Sequence, residues 1–229
     1  MFGGFKMRIS VAIDGPAAAG KSTIAKRIAS DLGYVYIDTG AMYRCFTWYC
    51  LEKGLNCEDE KACSAVIPEV SIDLKPDGTV LCNGTDVTRA IREPRINANV
   101  SYIATYKDIR LAMVDLQRKL AANSSVIMDG RDIGTYVLPK AEVKIYQVAS
   151  VEVRAMRRYK ENMEKGIACT YEDIVEDVKK RDRIDSGRAF APLKPAEDSI
   201  EVDTSDMTIE EVVAKITGII NNKIKELSK

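Results

Sequence analysis

The sequence predicts an α/β protein, a parallel sheet flanked by helices, with a small antiparallel insertion and a helical lid. Three features predict it. A glycine-bounded loop ending in Gly-Lys-Ser stands between a short apolar run and a helical pattern. Four more short β-type runs follow, spaced by helical patterns as in alternating β and α units. Two stretches break that rhythm, one punctuated by hairpin signals and one dense in charge.

Residues 9–13 form the first apolar run, followed by Gly15, Pro16, Ala17, Ala18, Ala19, Gly20, Lys21, Ser22 and Thr23. Ile24, Ala25, Ile28, Ala29 and Leu32 then recur at helical spacing. Strand, phosphate loop and helix in this order mark a P-loop NTPase fold. Gly15 and Gly20 let the backbone turn tightly and aim successive N–H groups at one point. The helix start adds unpaired N–H groups and a positive dipole end. Lys21 is placed to reach the β- and γ-phosphates as a mobile charge, and Ser22 to offer its hydroxyl to Mg2+. The loop therefore asks for ATP or GTP with magnesium.

Residues 34–37 are the second predicted strand, ending at Asp38-Thr39-Gly40. Residues 41–52 follow as a helix with Tyr43 and Arg44 in its first turn, just beyond a strand end, where ligands collect in open α/β sheets. Arg44 there either binds a second phosphate or is a solvated surface arginine. Between 68 and 88 the chain carries Asp77-Gly78 and Asn83-Gly84, both hairpin signals, so this stretch is read as the antiparallel insertion. Helical patterns resume over 93–104, with Pro94 near the start, and over 108–120, where Ile109, Ala112, Met113, Leu116 and Leu120 make an apolar stripe. Arg110 follows Ile109 by about 100° round the helix and is expected beside that stripe, either snorkelling or aimed into a cleft.

Residues 125–128 are the third strand and run into Asp129-Gly130-Arg131-Asp132. Parallel neighbours gather their C-terminal ends, so Asp129 suits a carboxylate near the metal. Arg131 and Asp132 either bind phosphate and donor-rich base edges or pair to shape the loop. Residues 143–148 are the fourth strand. The segment 151–188 threads Arg154, Arg157, Arg158, Arg181 and Arg188 among acids. Such a helical pair is either a solvated surface or a hinged cover that closes positive charge over a transferring phosphoryl group. Residues 199–202 supply the fifth strand, and the last helix starts near Thr208 with Glu211 placed to complete a capping box.

The 229 residues can bury a substantial core, and the size suggests one main domain with small attachments. Lys plus Arg and Asp plus Glu each number 34, so charge gives no sign of nucleic-acid or membrane binding and any anion site must be local. Without a histidine, Cys/His zinc sites and histidine acid, base or nucleophile chemistry are excluded. The six cysteines include no Cys-x-x-Cys pair and are expected as buried free thiols of a reducing compartment. No apolar run approaches about 18 residues, and residues 1–6 are too short for a secretory signal, so the cytoplasm is the expected setting. Met7 is read as the original start after a short extension, and a monomer is the default expectation.

Five strings in order, IDGPAAAGKST at 13–23, DTGAMYR at 38–44, NGTDVT at 83–88, DGRDIGT at 129–135 and RDRIDSGRAFAPL at 181–193, closely resemble bacterial cytidylate kinases of the nucleoside monophosphate kinase family. The resemblance runs from about residue 8 to 225. It implies a five-stranded parallel core over 7–62, 102–150 and 191–229, a monophosphate-binding insertion over 63–101 that begins in the preceding segment, and a lid over 151–190. It also implies transfer of the γ-phosphoryl of ATP to CMP, and usually dCMP, with Mg2+. Carried over by position, Gly15 to Thr23 would bind the ATP phosphates, with Ser22 and Asp129 serving the metal. Thr39, Tyr43, Arg44 and Arg131 would lie at the acceptor phosphate, and Ser101, Arg110 and Asp132 would recognise cytosine. Arg181 and Asp185 would hold the sugar and acceptor side, with Arg188 near the phosphates. Arg157 and Arg158 would face the donor from the lid, and the catalytic set would be Lys21, Arg131, Arg157, Arg158 and Arg188.

The chain departs from the family pattern at Thr39, where serine is common, and at Ile184 and Ser186, where charged residues are frequent. An acceptor phosphate oxygen is already a nucleophile, so no strong general base is required and the missing histidine is no obstacle. A GTP-dependent switch would carry an Asn-Lys-x-Asp guanine reader, but Asn83-Gly84-Thr85-Asp86 lacks the Lys.

Overall fold

A computed structural model describes residues 8–229. The expected start at Met7 after an extension over 1–6 lies outside the described residues. β1 (Ser10–Asp14) leads through the phosphate loop into α1 (Lys21–Leu32), which Gly33 closes in the left-handed region. β2 (Val35–Asp38) passes into α2 (Thr39–Glu52) without a loop, because the Asp38 carboxylate accepts the Ala41 N–H at 2.7 Å and caps the helix. The short α3 (Glu60–Ala65), capped likewise by Asp59, leads to the antiparallel ribbon of β3 (Ile72–Leu74), β4 (Val80–Cys82) and β5 (Thr85–Asp86).

α4 (Pro94–Ile103) and α5 (Lys107–Ala121) return the chain to the sheet at β6 (Val126–Gly130). A π-helical turn, Ile133–Val137, precedes β7 (Val143–Val148). α6 (Val151–Glu164) and α7 (Tyr171–Gly187) pack as a hairpin around Ala155, Ile174 and Val178, and β8 (Ile200–Asp203) and α8 (Ile209–Leu227) complete the fold.

The five strands of the main sheet are parallel and lie in the order β2, β6, β1, β7, β8. Successive side chains along β1 alternate between two cores. Val11 and Ile13 pack with Ile24 and Ile28 of α1 and with Val212, Ile216 and Ile220 of α8. Ala12 faces the other layer, where Met42 and Phe46 of α2 meet Ile109 and Met113 of α5. The chain goes from β1 to β2 on one side and reaches β7 and β8 on the other. The carboxyl ends beside β1 are thus a switch point, the place where open α/β sheets bind ligands.

Four strands carry an aspartate at or next to their carboxyl ends, Asp14, Asp38, Asp129, which Gly130 follows, and Asp203 of the edge strand β8. Each strand runs one or two residues past the apolar run that marks it in sequence. All six cysteines are free; five are buried and Cys169, between α6 and α7, is half-buried. Among the described residues no helix is long and apolar enough to cross a membrane.

Candidate active site

The phosphate loop is shaped by its neighbours. At Gly15 φ is 151°, and a Cβ there would stand 2.0 Å from the Gln147 carbonyl oxygen of β7, so only glycine fits. Gly20 makes the second turn at φ 86° and opens α1. Between them Ala17 and Ala19 are buried, and Pro16 and Ala18 half-buried. The loop carbonyls are taken from outside: Gln147 Nε2 and Arg157 Nη1 donate to Ala19 O, and Arg154 Nη1 donates to Ala17 O at 3.0 Å. Asp182 of α7 accepts the Ala17 N–H at 3.3 Å and pairs with Arg154 at 2.8 Å.

Lys21 is 5% exposed and its Nζ donates to Pro16 O at 2.7 Å. Burial, reinforced by the nearby Arg131 charge, holds its amine well below the ordinary lysine range. An arriving phosphate would favour the charged form. Ser22 Oγ and the Tyr36 hydroxyl each donate to the Asp129 carboxylate at 2.8 Å, and Thr39 Oγ1 donates to the Asp129 carbonyl at 2.6 Å. Burial, together with Asp38 opposite it on β2, pushes the Asp129 carboxyl up. Thr23, one residue further on, is exposed.

On the other side of the cleft Arg44 pairs with Asp38 at 3.2 Å and Arg92 with the same carboxylate at 2.9 Å. Burial opposes ionisation there, but Arg44 and Arg92 hold Asp38 below the usual carboxylate range. Arg44 is therefore not the freely solvated arginine of the sequence alternative; its side chain is 14% exposed.

Of the two alternatives for Arg110 beside the apolar stripe, the structure has it turned inward rather than snorkelling. It is 1% exposed, inside the core, with Nη1 donating to Ala104 O at 2.9 Å and Nη2 to Asp132. Its guanidinium lies 5.6 Å from the centroid of the Tyr43 ring, whose phenol burial pushes up to about 12. Asp132 also faces Arg188 at 3.3 Å, and Asp185 takes Arg131 at 2.8 Å. Burial pulls Arg181 down to about 10, with the Arg131 charge adding to it. Ser101 is buried close by, in a crevice of about 20 Å³ lined by Asn97, Ser101 and Tyr102 of α4 and Asp177, Lys180 and Arg181 of α7.

Arg110, Asp132, Arg188, Asp185 and Arg131 thus form one ionic strip. Arg44 Nε, Arg110 Nε, Arg181 Nε and Arg188 Nη2 are buried without a hydrogen-bond partner. Buried donors left open in this way suit an anionic or acceptor-rich ligand. Arg157 belongs to the loop end of the site, donating to Thr204 O at 2.6 Å as well as to Ala19 O. Arg158 lies along its own helix against Glu161 at 3.3 Å, a third exposed.

A family profile described as Cytidylate kinase matches residues 11–222, nearly the whole of this fold. The chain belongs to the cytidylate kinase family. Cytidylate kinases from Anoxybacillus flavithermus and Geobacillus kaustophilus are each 52% identical to it, over 95% and 96% of this chain and 98% and 99% of theirs. The cytidylate kinase of Bacillus licheniformis is 50% identical over 96% of this chain and 99% of its own. A crystal structure of an uncharacterized protein from Eubacterium ventriosum superposes with a TM-score of 0.52 at 13% identity, covering 93% of this chain and 99% of that one, a likeness of fold alone.

In this cytidylate kinase fold several residues join the site that motif spacing did not single out. Asp38 holds Arg44 and pairs with Arg92 as well, Tyr36 holds Asp129, and Gln147, Arg154 and Asp182 hold the phosphate loop. Two had a readable signal. Asp38 closes a strand as Asp129 does, and Gln147 is, with Lys144, one of two polar side chains in the run 143–148. The others depend on partners distant in sequence.

Proposed function

We infer that this chain catalyses transfer of the γ-phosphoryl group of ATP to CMP, and to dCMP, giving ADP and the nucleoside diphosphate. The observation that carries this is the ionic strip from Arg110 to Arg131, with its open guanidinium donors, lying beside Lys21 and the phosphate loop. A phosphate loop alone speaks for a nucleotide donor. The second cationic array, reaching from Arg44 and Arg131 to Arg188, speaks for a phosphorylated acceptor in line with it.

An acceptor phosphate oxygen attacks the γ-phosphorus while the bond to the β,γ-bridging oxygen breaks, and ADP leaves with that electron pair. Lys21, Arg131 and Arg188 offset the charge on the equatorial oxygens. Thr39 and Arg44 hold the acceptor phosphate, and Ser101, Arg110 and Asp132 bind the cytosine edge beside Tyr43. Arg181 and Asp185 hold the sugar, and Arg157 and Arg158 close on the donor. The Ser22 hydroxyl, hydrogen-bonded to Asp129, fits a Mg2+ ion held mainly by phosphates and water. Bound there, the ion would neutralise donor phosphate charge.

In this reading residues 63–101 are the acceptor arm and 151–190 the lid. Free thiols fit a reducing compartment such as the cytoplasm, even charge balance speaks against a nucleic-acid partner, and a monomer is the default reading. The test is ADP release from Mg-ATP with CMP, dCMP, UMP, AMP, GMP and dTMP at matched concentration. Turnover should be strongest with CMP and dCMP; a clear preference for another acceptor would overturn the cytosine roles of Ser101, Arg110 and Asp132.

A further inference from the structure

Asp14 lies under the cleft, and none of the roles above uses it. It ends β1, opposite Gly130 of β6 and Tyr146 of β7, and is 5% exposed. Its carboxylate accepts the amide of Ile133 at 2.8 Å through one oxygen and that of Gly134 at 2.7 Å through the other. Those amides open the π-helical turn Ile133–Val137. A turn of this kind is ordinarily capped by the side chain just before it. That residue is Asp132, and it makes no capping bond; its carboxylate is turned to Arg110 and Arg188.

We propose that Asp14 is a positioning residue for the acceptor half of the site: by capping the Ile133–Val137 turn from across the sheet, it fixes the Arg131-Asp132 loop and frees Asp132 to face the cleft. The proposal rests on the acceptor reading given above.

The turn is clamped from its second side as well. The stem of Lys144 packs against Gly134, where an added Cβ would stand 3.2 Å from Lys144 Cδ and 3.4 Å from Asp14 Oδ2. Lys144 is itself fixed by Pro139 O at 2.7 Å and by Asp198 at 2.8 Å. The turn is therefore held between a carboxylate and a packed aliphatic stem. Burial works against the carboxylate, pushing it up to about 6, and only the two amides and the charge of Lys21 favour its ionised form. A carboxylate is maintained where an apolar residue would bury at less cost.

The test uses Asp14→Asn, which preserves shape but turns one acceptor into a donor facing an amide. Hydrogen exchange at Ile133 and Gly134 should quicken at least tenfold. The KM for CMP should rise at least tenfold while the KM for ATP stays within about threefold. A second variant, Gly134→Ala, keeps the carboxylate itself but crowds the turn against the Lys144 stem and Asp14 Oδ2, and should raise the KM for CMP at least threefold with the same selectivity. It decides the matter if Asp14→Asn does not fold. Equal rises in both KM values, a rise for ATP alone, or faster exchange with both KM values unchanged would overturn the proposal. If wild-type protein prefers another acceptor of the panel, the acceptor reading fails, and the same comparison made with that acceptor still tests Asp14.

Discussion

Lys21 gives its ammonium to Pro16 O in the free loop and must swing from there to meet a phosphate. Truncation to Ala removes a charge that acts on the transferring group and little that the core needs. Lys21→Ala should therefore lower kcat by about 10²-fold or more with the circular dichroism spectrum unchanged. Arg110 sits deeper and on the other side. Arg110→Met fills the same volume but strips Asp132 of one partner, so kcat/KM for CMP should fall at least tenfold while ATP affinity measured by calorimetry holds. Asp14 adds a pH signature. Its carboxyl stands at about 6 in the fold against 3.8 when exposed, so the folded chain takes up this proton first as pH falls. The stability from that proton is complete below about 4 and lost as pH rises through about 6. Between pH 4 and 7.5 the wild type should lose about 3 kcal/mol relative to Asp14→Asn, read from urea midpoints at each pH.

Among the elements, α8 closes the outer layer through Val212, Ile216 and Ile220 and starts at a capping box. Thr208 Oγ1 accepts the Glu211 N–H at 3.3 Å, and Glu211 returns a carboxylate oxygen to the Thr208 N–H at 2.8 Å. Thr208→Ala should cost about 1 kcal/mol and lower Tm by about 2–4 °C, by calorimetry, with turnover unaffected. That box was legible in the sequence, as were the five strands and their order of appearance. Strand ends were not. Hydrophobic patterning stops at Ile13, Ile37 and Met128, whereas backbone pairing continues through Asp14, Asp38 and Gly130. At the ligand edge of a parallel sheet the terminal side chains serve the site rather than the core, so the apolar signal ends before the strand does. The six-residue α3 was too short for periodicity to register, although Asp59 marks its cap. The turn Ile133–Val137 depends on Asp14, 119 residues earlier, and no local pattern encodes it. The choice between a snorkelling and an inward Arg110 stayed open for the same reason: Asp132, the partner that lets it be buried, lies on another element.

At the scale of the molecule, α4 and α7 meet across the cleft, with Lys180 5.8 Å from the Tyr102 ring centroid. Between them lies a narrow crevice lined by Ser101 and Tyr102 on one side and Lys180 and Arg181 on the other. The hairpin of α6 and α7 also carries the half-buried Cys169, while the other five thiols are buried in the core around α2 and the antiparallel ribbon. The Cys82 thiol, with burial behind it, holds Cys45 protonated, and burial does the same for Cys50, Cys57 and Cys63. A thiol reagent should titrate one group quickly in the native protein and six after denaturation. The sequence therefore carries a ready-made attachment point for a fluorophore on the proposed lid. A label there would report closure of that proposed lid in single molecules without first engineering any cysteine away.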